Sequence, residues 1–363
     1  MEQYDAVVVG AGPAGSTAAR FLAEGGARTL VLEKRDDVGV PVQCGEFLPS
    51  LANLEDIMPG VEGLSELFDI PQSCISLRTA QIAVISPAGK RYELDFEGMS
   101  LWRAKYDQHL ARLAQKSGAE LRTRSRVRGV RMEGVETEKE FIRAKVIIGA
   151  DGPLSIVRRM MGMPSPGAQY PCLQYTMPGK FGNSVDMYFG SVAPGGYAWL
   201  IPKSDGANLG LGMPPGRSKR TIRSLLDGFI SRLGVPDGPK LQTSGLVPAS
   251  GPVAETVRGN VLLCGDAAGQ VMATNGGGIP LAVVCGRAAG ESAAAFIKSG
   301  RPLKEYEKRW KSEVGEMLTN TVHVKKLADW WMWSDTLIGL AMMLIGKRGI
   351  RRSLTCKKLL GVY

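Results

Sequence analysis

The sequence predicts an α/β fold, α+β overall, in which a parallel-sheet layer is interrupted by an inserted β-sheet and followed by a C-terminal helical segment. Three short apolar strands carry that prediction, because each runs straight into a glycine-bearing turn. The first, Tyr4 to Val9, meets Gly10-Ala11-Gly12-Pro13-Ala14-Gly15. The second, Lys145 to Ala150, meets Asp151-Gly152. The third, Val261 to Cys264, meets Gly265-Asp266 and then Gly276-Gly277-Gly278-Ile279 ahead of a small-residue helix.

The first block has the strongest context. A helix-forming run follows Gly15, Gly25-Gly26 stops it, Thr29 to Leu32 is a second strand, and Glu33 stands at its end. Strand, glycine turn, helix, strand and acid in that order form a Rossmann-like unit. Gly10 allows the tight turn, Gly12 lets backbone amides approach a pyrophosphate, and Gly15 lets the helix pack closely on the strand. The helix N-terminus then faces an anion, with Pro13 and Ala14 in its first turn. A carboxylate at Glu33, followed by Lys34, accepts hydrogen bonds from ribose hydroxyls and repels a 2′-phosphate. The pattern therefore implies the ADP half of FAD or NAD and leaves the choice between them open.

Composition excludes a disordered chain: of 363 residues 44% are hydrophobic and 22% charged, enough for one large or two ordinary domains. The six cysteines (44, 74, 172, 264, 285 and 356) show no metal-ligand spacing and no disulfide framework. No metal is expected, and a reducing cytoplasm is. The first strand begins almost at Met1, which leaves no room for a cleavable leader. The net charge of +10 is concentrated at the end, where Lys347, Arg348, Arg351, Arg352, Lys357 and Lys358 occur without an acid. No nucleic-acid motif accompanies them, and an anionic membrane surface is the expected partner.

After Glu33, the segment Pro41-Val42-Gln43-Cys44-Gly45-Glu46 is a loop just beyond the carboxyl ends of the first strands, where α/β folds bind ligands. Residues 75 to 97 read as strands with a turn at Pro87 to Lys90, an excursion out of the α/β pattern. A helix returns at Leu101 to Leu110, on which Arg103 and Asp107 share a face, so that Arg103 is either an ion-pair partner or a flavin contact. Arg122, Arg124, Arg126 and Arg128 alternate with Thr123, Ser125 and Val127, as a strand with one basic, solvated face. From Tyr170 to Val257 β-like pieces are divided by a polar helix near Ser218 to Leu233. Tyr197 and Trp199 share one face of their strand, as core aromatics or as the lining of an apolar cavity. Beyond Pro302 a charged helix leads to Trp330-Trp331-Met332-Trp333 and an apolar run from Thr336 to Gly346, too short to span a bilayer. That segment is either an interfacial helix or a helix packed on the body.

Together the three glycine-bearing blocks resemble the FAD-binding fold of para-hydroxybenzoate hydroxylase and its relatives. Within that superfamily, Pro41 to Glu46 and Tyr197-Ala198-Trp199-Leu200-Ile201-Pro202-Lys203 resemble the corresponding motifs of the geranylgeranyl reductases, especially the archaeal ones acting on membrane lipids. The resemblance implies a discontinuous FAD-binding domain (residues 1–74, 98–160 and 258–300), a substrate-binding sheet (75–97 and 161–257) and a C-terminal segment (301–363). It further implies contacts to FAD from Gly10, Gly12, Pro13, Ala14, Gly15, Glu33, Lys34, Cys44, Gly45, Arg103, Val127, Asp151, Gly152, Gly265, Asp266, Gly276, Gly277, Gly278 and Ile279. Substrate contacts are expected from Tyr197, Trp199, Pro202 and Lys203.

The implied activity is hydrogenation of isolated prenyl C=C bonds, as in digeranylgeranylglycerophospholipid, by an enzyme peripherally attached to the membrane. Its reductant is ferredoxin, a reduced pyridine nucleotide or a deazaflavin, and a ferredoxin-like donor is among the expected partners. Such a reaction needs a hydride at one carbon and a proton at the other in a dry pocket. The expected proton donors are Cys44, Glu46 and Tyr197. Two other readings share these motifs: an oxygen-using hydroxylase or halogenase, and a membrane-attached flavin electron carrier or sensor with no organic substrate.

Overall fold

The computed structural model describes residues 2–236 and 238–358, so the last five residues of the expected basic tail, 359–363, lie outside it. Two eight-stranded sheets organise the chain. In the first, the path runs Val257–Arg258, Val261–Leu263, Phe141–Gly149, Gln3–Val9, Thr29–Leu32, Glu120–Arg122. The central pairings are all parallel, and Val9 lies level with both Leu32 and Gly149. The three expected glycine turns therefore emerge at one edge of one sheet, as the carboxyl ends of parallel strands must.

Helices Pro13–Glu24 and Ile279–Ser299 cover a face of this sheet and pack on each other. Their approach is close because glycine faces backbone: a Cβ on Gly286 would lie 2.4 Å from the Ala14 carbonyl oxygen, and one on Gly290 would lie 2.4 Å from that of Ala18. Ile279–Ser299 is long and apolar enough to cross a membrane, yet 83% of its most apolar window is buried inside the protein. It is a core helix.

The second sheet runs Leu241–Pro248, Gln169–Pro178, Gly206–Gly212, Tyr197–Lys203, Ser184–Phe189, Ile75–Ile85, Arg91–Leu101, Phe47–Pro49. Strand alternation divides its faces. Leu173, Tyr175, Met177, Ala198, Leu209 and Leu211 point to one side, where helix Ile222–Arg232 covers them with Leu225, Leu226 and Phe229. The Thr221 hydroxyl starts that helix by accepting from the Ser224 amide. Cys172, Gln174, Tyr197, Trp199, Ile201 and Asn208 therefore point to the other side, toward the first layer. Phe47–Pro49 pairs with residues 98–100, so this sheet is continuous across the boundaries expected at 74 and 97. The main chain ties it there, since the Leu101 amide donates to the Glu46 carbonyl at 2.8 Å.

The expected basic strand from Arg122 to Arg128 is corrected. The strand Glu120–Arg122 ends at Arg122, Arg124 takes φ +51, and Val127–Arg131 begins an antiparallel hairpin with Gly134–Thr137. The arginines face acids: Arg122 pairs with Glu2, Glu120 and Glu140, and Arg128 with Glu138. The C-terminal segment is helical as expected, with Glu305–Trp310 running through one π turn at Lys311–Gly315 into Glu316–Ala328, followed by Asp335–Leu354. Ile338, Met342 and Ile350 of the last helix pack on Val84, Tyr92 and Leu94 of the second sheet.

The glycine contact between the two core helices is testable. Gly290→Ala places a methyl group against a main-chain carbonyl that has no rotamer to change, and is expected to destabilise the protein by about 1–3 kcal/mol in urea unfolding. The nearby Gly300→Ala control should behave differently: Gly300 has φ +70 and open space, so only local strain at the helix end is added.

Candidate active site

At the first turn the geometry suits a pyrophosphate. A Cβ on Gly15 would fall 1.9 Å from the Gly10 carbonyl oxygen, so only glycine allows the helix to start there. Gly12 has no atom within 4 Å of such a position, no side chain caps the helix Pro13–Glu24, and Pro13 opens it. The first-turn amides thus face open space. Glu33 is buried and held by two backbone donors, with Oε2 accepting from the Ala11 amide and Oε1 from the Arg35 amide, both at 2.9 Å. Lys34 is exposed beside it. The Val127 side chain lies in the core cluster with Tyr4, Val7 and Val9, so only its main chain remains for a nucleotide.

The other two turns meet this one. A Cβ on Gly10 would contact the Ala150 carbonyl at 2.5 Å, and one on Gly265 would lie 2.8 Å from the Ala14 methyl. Asp151 uses Oδ2 to accept from the Ile156 and Val157 amides, while its Oδ1 is buried with no hydrogen-bond partner among the described residues. Burial pushes the Asp151 carboxyl above its usual range. Gly152 beside it has φ +81 and open space. Burial also raises Asp266, to about 6, against the opposing pull of the Arg103 guanidinium. The glycine cradle, the orphaned oxygen of Asp151 and the acids Glu33 and Asp266 fit a flavin dinucleotide. Arg103 makes a two-pronged pair with Asp107 at 2.9 and 3.0 Å, so the ion pair expected of it is present.

Between the two layers lies a cavity of about 340 Å³. Cys44, Gly45 and Glu46 form one wall; Gly276, Gly277, Gly278 and Ile279 form the end nearest the dinucleotide turns. Phe47, Phe96, Met187, Tyr197, Trp199 and Ile201 supply apolar surface. The ring of Tyr197 lies 5.7 Å from Phe189 and 5.8 Å from Trp199, and its hydroxyl donates to the Asn275 carbonyl. Trp199 fits because its neighbour on the next strand is Gly210, where a Cβ would sit 2.4 Å from the indole. The Trp199 indole N–H donates to Gln174 Oε1 at 2.9 Å, and Gln174 Nε2 donates to the Cys44 carbonyl at 3.1 Å. Burial pushes the Cys44 thiol up, so it stays protonated. Burial likewise raises Tyr197.

The loop that carries Cys44 is clamped by a buried polar network. Glu46 has φ +71, unusual for a residue with a side chain, and its carboxylate is fully engaged. Oε2 accepts from Lys203 Nζ at 2.5 Å and from Asn208 Nδ2 at 2.7 Å; Oε1 accepts from the Arg103 amide at 3.0 Å. Lys203 also donates to the Leu101 carbonyl at 3.0 Å and lies 4.2 Å from the Trp102 ring centroid. Both side chains of the pair are buried, 2% and 7% exposed. Asn208 in turn donates to the Gly45 carbonyl and accepts from the Thr176 hydroxyl.

This network bears on three expectations. Glu46, expected as a proton donor, lines the cavity but has its oxygens accepting from Lys203, Asn208 and the Arg103 amide. Lys203, expected at the substrate, is buried with its ammonium donating to Glu46 and Leu101. Pro202 is on the opposite strand face from Tyr197, Trp199 and Ile201, by the alternation of the strand, and does not line the cavity. Gln174, Thr176 and Asn208 were missed. Their alternation with Leu173, Tyr175, Met177 and Leu209 marks them as facing away from the helix-covered side, but no sequence signal names the loop they hold.

A profile described as the geranylgeranyl reductase catalytic domain matches residues 168–246, and one described as an NAD(P)-binding Rossmann-like domain matches residues 8–51. The chain is 34% identical to a digeranylgeranylglycerophospholipid reductase of Methanocaldococcus jannaschii, covering 94% of this chain and 90% of that one. It is 36% identical to the second such reductase of Methanopyrus kandleri, over 90% of this chain and 86% of that one. A solved structure of a geranylgeranyl bacteriochlorophyll reductase-like protein from Thermoplasma acidophilum superimposes with a TM-score of 0.83 at 31% identity, covering 94% and 91% of the two chains. A flavin-dependent brominase superimposes at 0.73 with 17% identity, over 97% and 94% of the chains, which is a likeness of fold alone.

Three substitutions test the site. Lys203→Met leaves a buried carboxylate unpaired and is expected to cost about 3–5 kcal/mol, part of which Glu46→Gln in the same chain should return; strictly additive losses in a double-mutant cycle would show that the two residues act apart. Asp266→Asn tests the raised carboxyl. The unfolded chain releases that proton near 3.8 and the folded protein near 6, so the folded state loses stability as pH rises through that window and stays penalised above it. At neutral pH the flavin-free Asn variant should therefore be more stable by about 1–3 kcal/mol in urea, yet bind flavin more weakly.

Proposed function

The chain belongs to the geranylgeranyl reductase family, and from that premise we propose an FAD-dependent reductase that hydrogenates isolated C=C bonds in the geranylgeranyl chains of a membrane phospholipid, digeranylgeranylglycerophospholipid. The observation that carries this reading is the apolar cavity wedged between the Cys44 loop and the Gly276 to Ile279 turn. Its size falls in the range of small-molecule sites, about 300–1,000 Å³. Its walls offer a prenyl chain contact without hydrogen bonds, which is what an unfunctionalised alkene needs.

In this reading Gly10, Gly12, Pro13, Ala14, Gly15 and Glu33 hold the ADP half of FAD, and Asp151, Asp266, Arg103 and the Gly276 to Ile279 turn hold its flavin half. Bound there in its reduced form, FAD would supply the hydride that one alkene carbon needs. The other carbon takes a proton, and Cys44 is the group that holds one at the cavity wall, because burial keeps its thiol neutral. Tyr197, whose hydroxyl already donates to Asn275, and Trp199, fixed by Gln174, orient the chain. The apolar walls exclude bulk water, so the proton reaches the alkene from the cavity wall rather than from solvent. The external reductant belongs to one of three classes: ferredoxin, reduced pyridine nucleotide or deazaflavin. The enzyme acts at a membrane surface, where its substrate resides. An oxygen-using hydroxylase or halogenase shares the fold, and oxygen dependence separates it from the reductase.

The deciding experiment is anaerobic. Chemically reduced holoenzyme, given a geranylgeranyl phospholipid, should form product heavier by two hydrogens for each bond removed. An absolute need for oxygen, or an oxygen or halogen atom in the product, would discard the reductase. Cys44→Ser should keep its flavin and its fold while slowing the step by about 10²-fold or more; normal turnover would remove the role of Cys44 alone.

A further inference from the structure

The C-terminal helices have two faces with different tasks. On Glu316–Ala328 and the turn after it, Val324, Ala328 and Met332 line the cavity, and Leu354 does so from the end of the last helix. The same segments turn other apolar residues outward. Trp330 is 80% exposed, Trp333 67%, Met343 59% and Leu344 75%, with Leu340 at 46%. Leu340, Met343 and Leu344 share one stripe at i, i+3 and i+4 of the arm that ends at Gly346, where φ +58 breaks the helix. Beyond the break, Lys347, Arg348 and Arg351 are exposed. The end of the basic tail is not free in the same way, since Lys357 pairs with Asp56 and Lys358 with Glu316. Asp329, next to Trp330 in the chain, pairs with Lys325 at 2.8 Å, and the exposed Asp335 accepts from the Ser191 amide at 2.7 Å.

Resting on the reductase reading above, we propose that Trp330, Trp333, Leu340, Met343 and Leu344 insert into the headgroup layer of an anionic bilayer, so that lipid chains enter the cavity from the leaflet past Ala328, Met332 and Leu354. Charge complementarity selects this occupant: an apolar stripe followed by three exposed cations, which have no ion-pair partner among the described residues, matches acyl chains beneath anionic headgroups. Tryptophan is suited to that boundary, with an apolar body and one N–H donor. The route also answers an energetic need. Every methylene drawn through water costs about 0.8 kcal/mol, so a prenyl chain must pass from bilayer to pocket without hydration. In the turn after Ala328, Met332 lines the pocket between the outward Trp330 and Trp333, so that turn borders the pocket on one side and the outer surface on the other.

The test uses full-length holoenzyme and vesicles of equal parts phosphatidylcholine and phosphatidylglycerol. The wild type should sediment with them, with a blue-shifted tryptophan emission, and should release at high salt. Met343→Glu/Leu344→Glu and Trp330→Ser/Trp333→Ser alter only exposed side chains and are expected to cut partitioning at least about tenfold each. Turnover of substrate held in vesicles should fall in parallel, while turnover of the same substrate in detergent micelles stays at the wild-type rate. Unchanged partitioning in both variants would overturn the proposal, as would a wild-type dimer that these substitutions convert to monomer, because the patch would then be covered by a second copy. A wild type that binds vesicles but reduces substrate in neither form would sink the reductase reading and leave the docking surface standing.

Discussion

The buried ion pair between Lys203 and Glu46 ties the Cys44 loop to the second sheet. Neither charge reaches water, so each must be satisfied by the other and by Asn208, the Arg103 amide and the Leu101 carbonyl. Asn208 and Leu101 belong to the second sheet, and the Arg103 amide opens helix Arg103–Lys116, which packs on Pro13–Glu24 of the first layer. The network therefore fixes the loop from Gln43 to Phe47 in the gap, with the Arg103 amide as its link to the first layer. A hydrophobic contact in that place would be stable too, but it would tolerate sliding. Charges with directed hydrogen bonds do not.

The cavity follows from that placement and from side-chain size. Glycines at 210 and 212 leave space on the inner face of the second sheet, into which Trp199 and Cys172 project. Gln174 then uses both ends of its amide, one on the indole and one on the Cys44 carbonyl, so the aromatic wall and the thiol loop are set by one side chain. The result is a pocket with a firm polar frame behind an apolar lining. A flavin enzyme acting on an unactivated alkene needs that combination, because the alkene offers no polar handle and must be oriented by shape.

The C-terminal helices close the far side. Of the two readings its sequence left open, the last helix shows packing on the body, with a second apolar stripe left outward. Ile338, Met342 and Ile350 pack on the second sheet, and Leu340, Met343 and Leu344 remain outward. The long apolar helix Ile279–Ser299, by contrast, spends its apolar surface inside, against glycine-lined contacts with the first helix.

Sequence alone determined the parallel layer, its three glycine turns and the acid at Glu33, because those features are local: a strand, a turn needing glycine and a helix start lie within a few residues of one another. It also placed the Cys44 loop at the ligand edge, by its position after the first strands, and put Tyr197 and Trp199 on one strand face, as cavity wall or core, through period-two alternation. Only the tertiary structure decided the roles of Glu46, Lys203 and Pro202. Glu46 and Lys203 are 157 positions apart, and whether a buried carboxylate donates a proton or locks a loop depends on which cation the fold delivers to it. The same limit hid Gln174 and Asn208, whose partners lie 130 and 163 positions away. Nor could the arginine run from Arg122 to Arg128 reveal its acids, since Glu2, Glu120, Glu138 and Glu140 meet it only once the sheet has formed. Local pattern sets what an element is, and long-range pairing sets what its charges do.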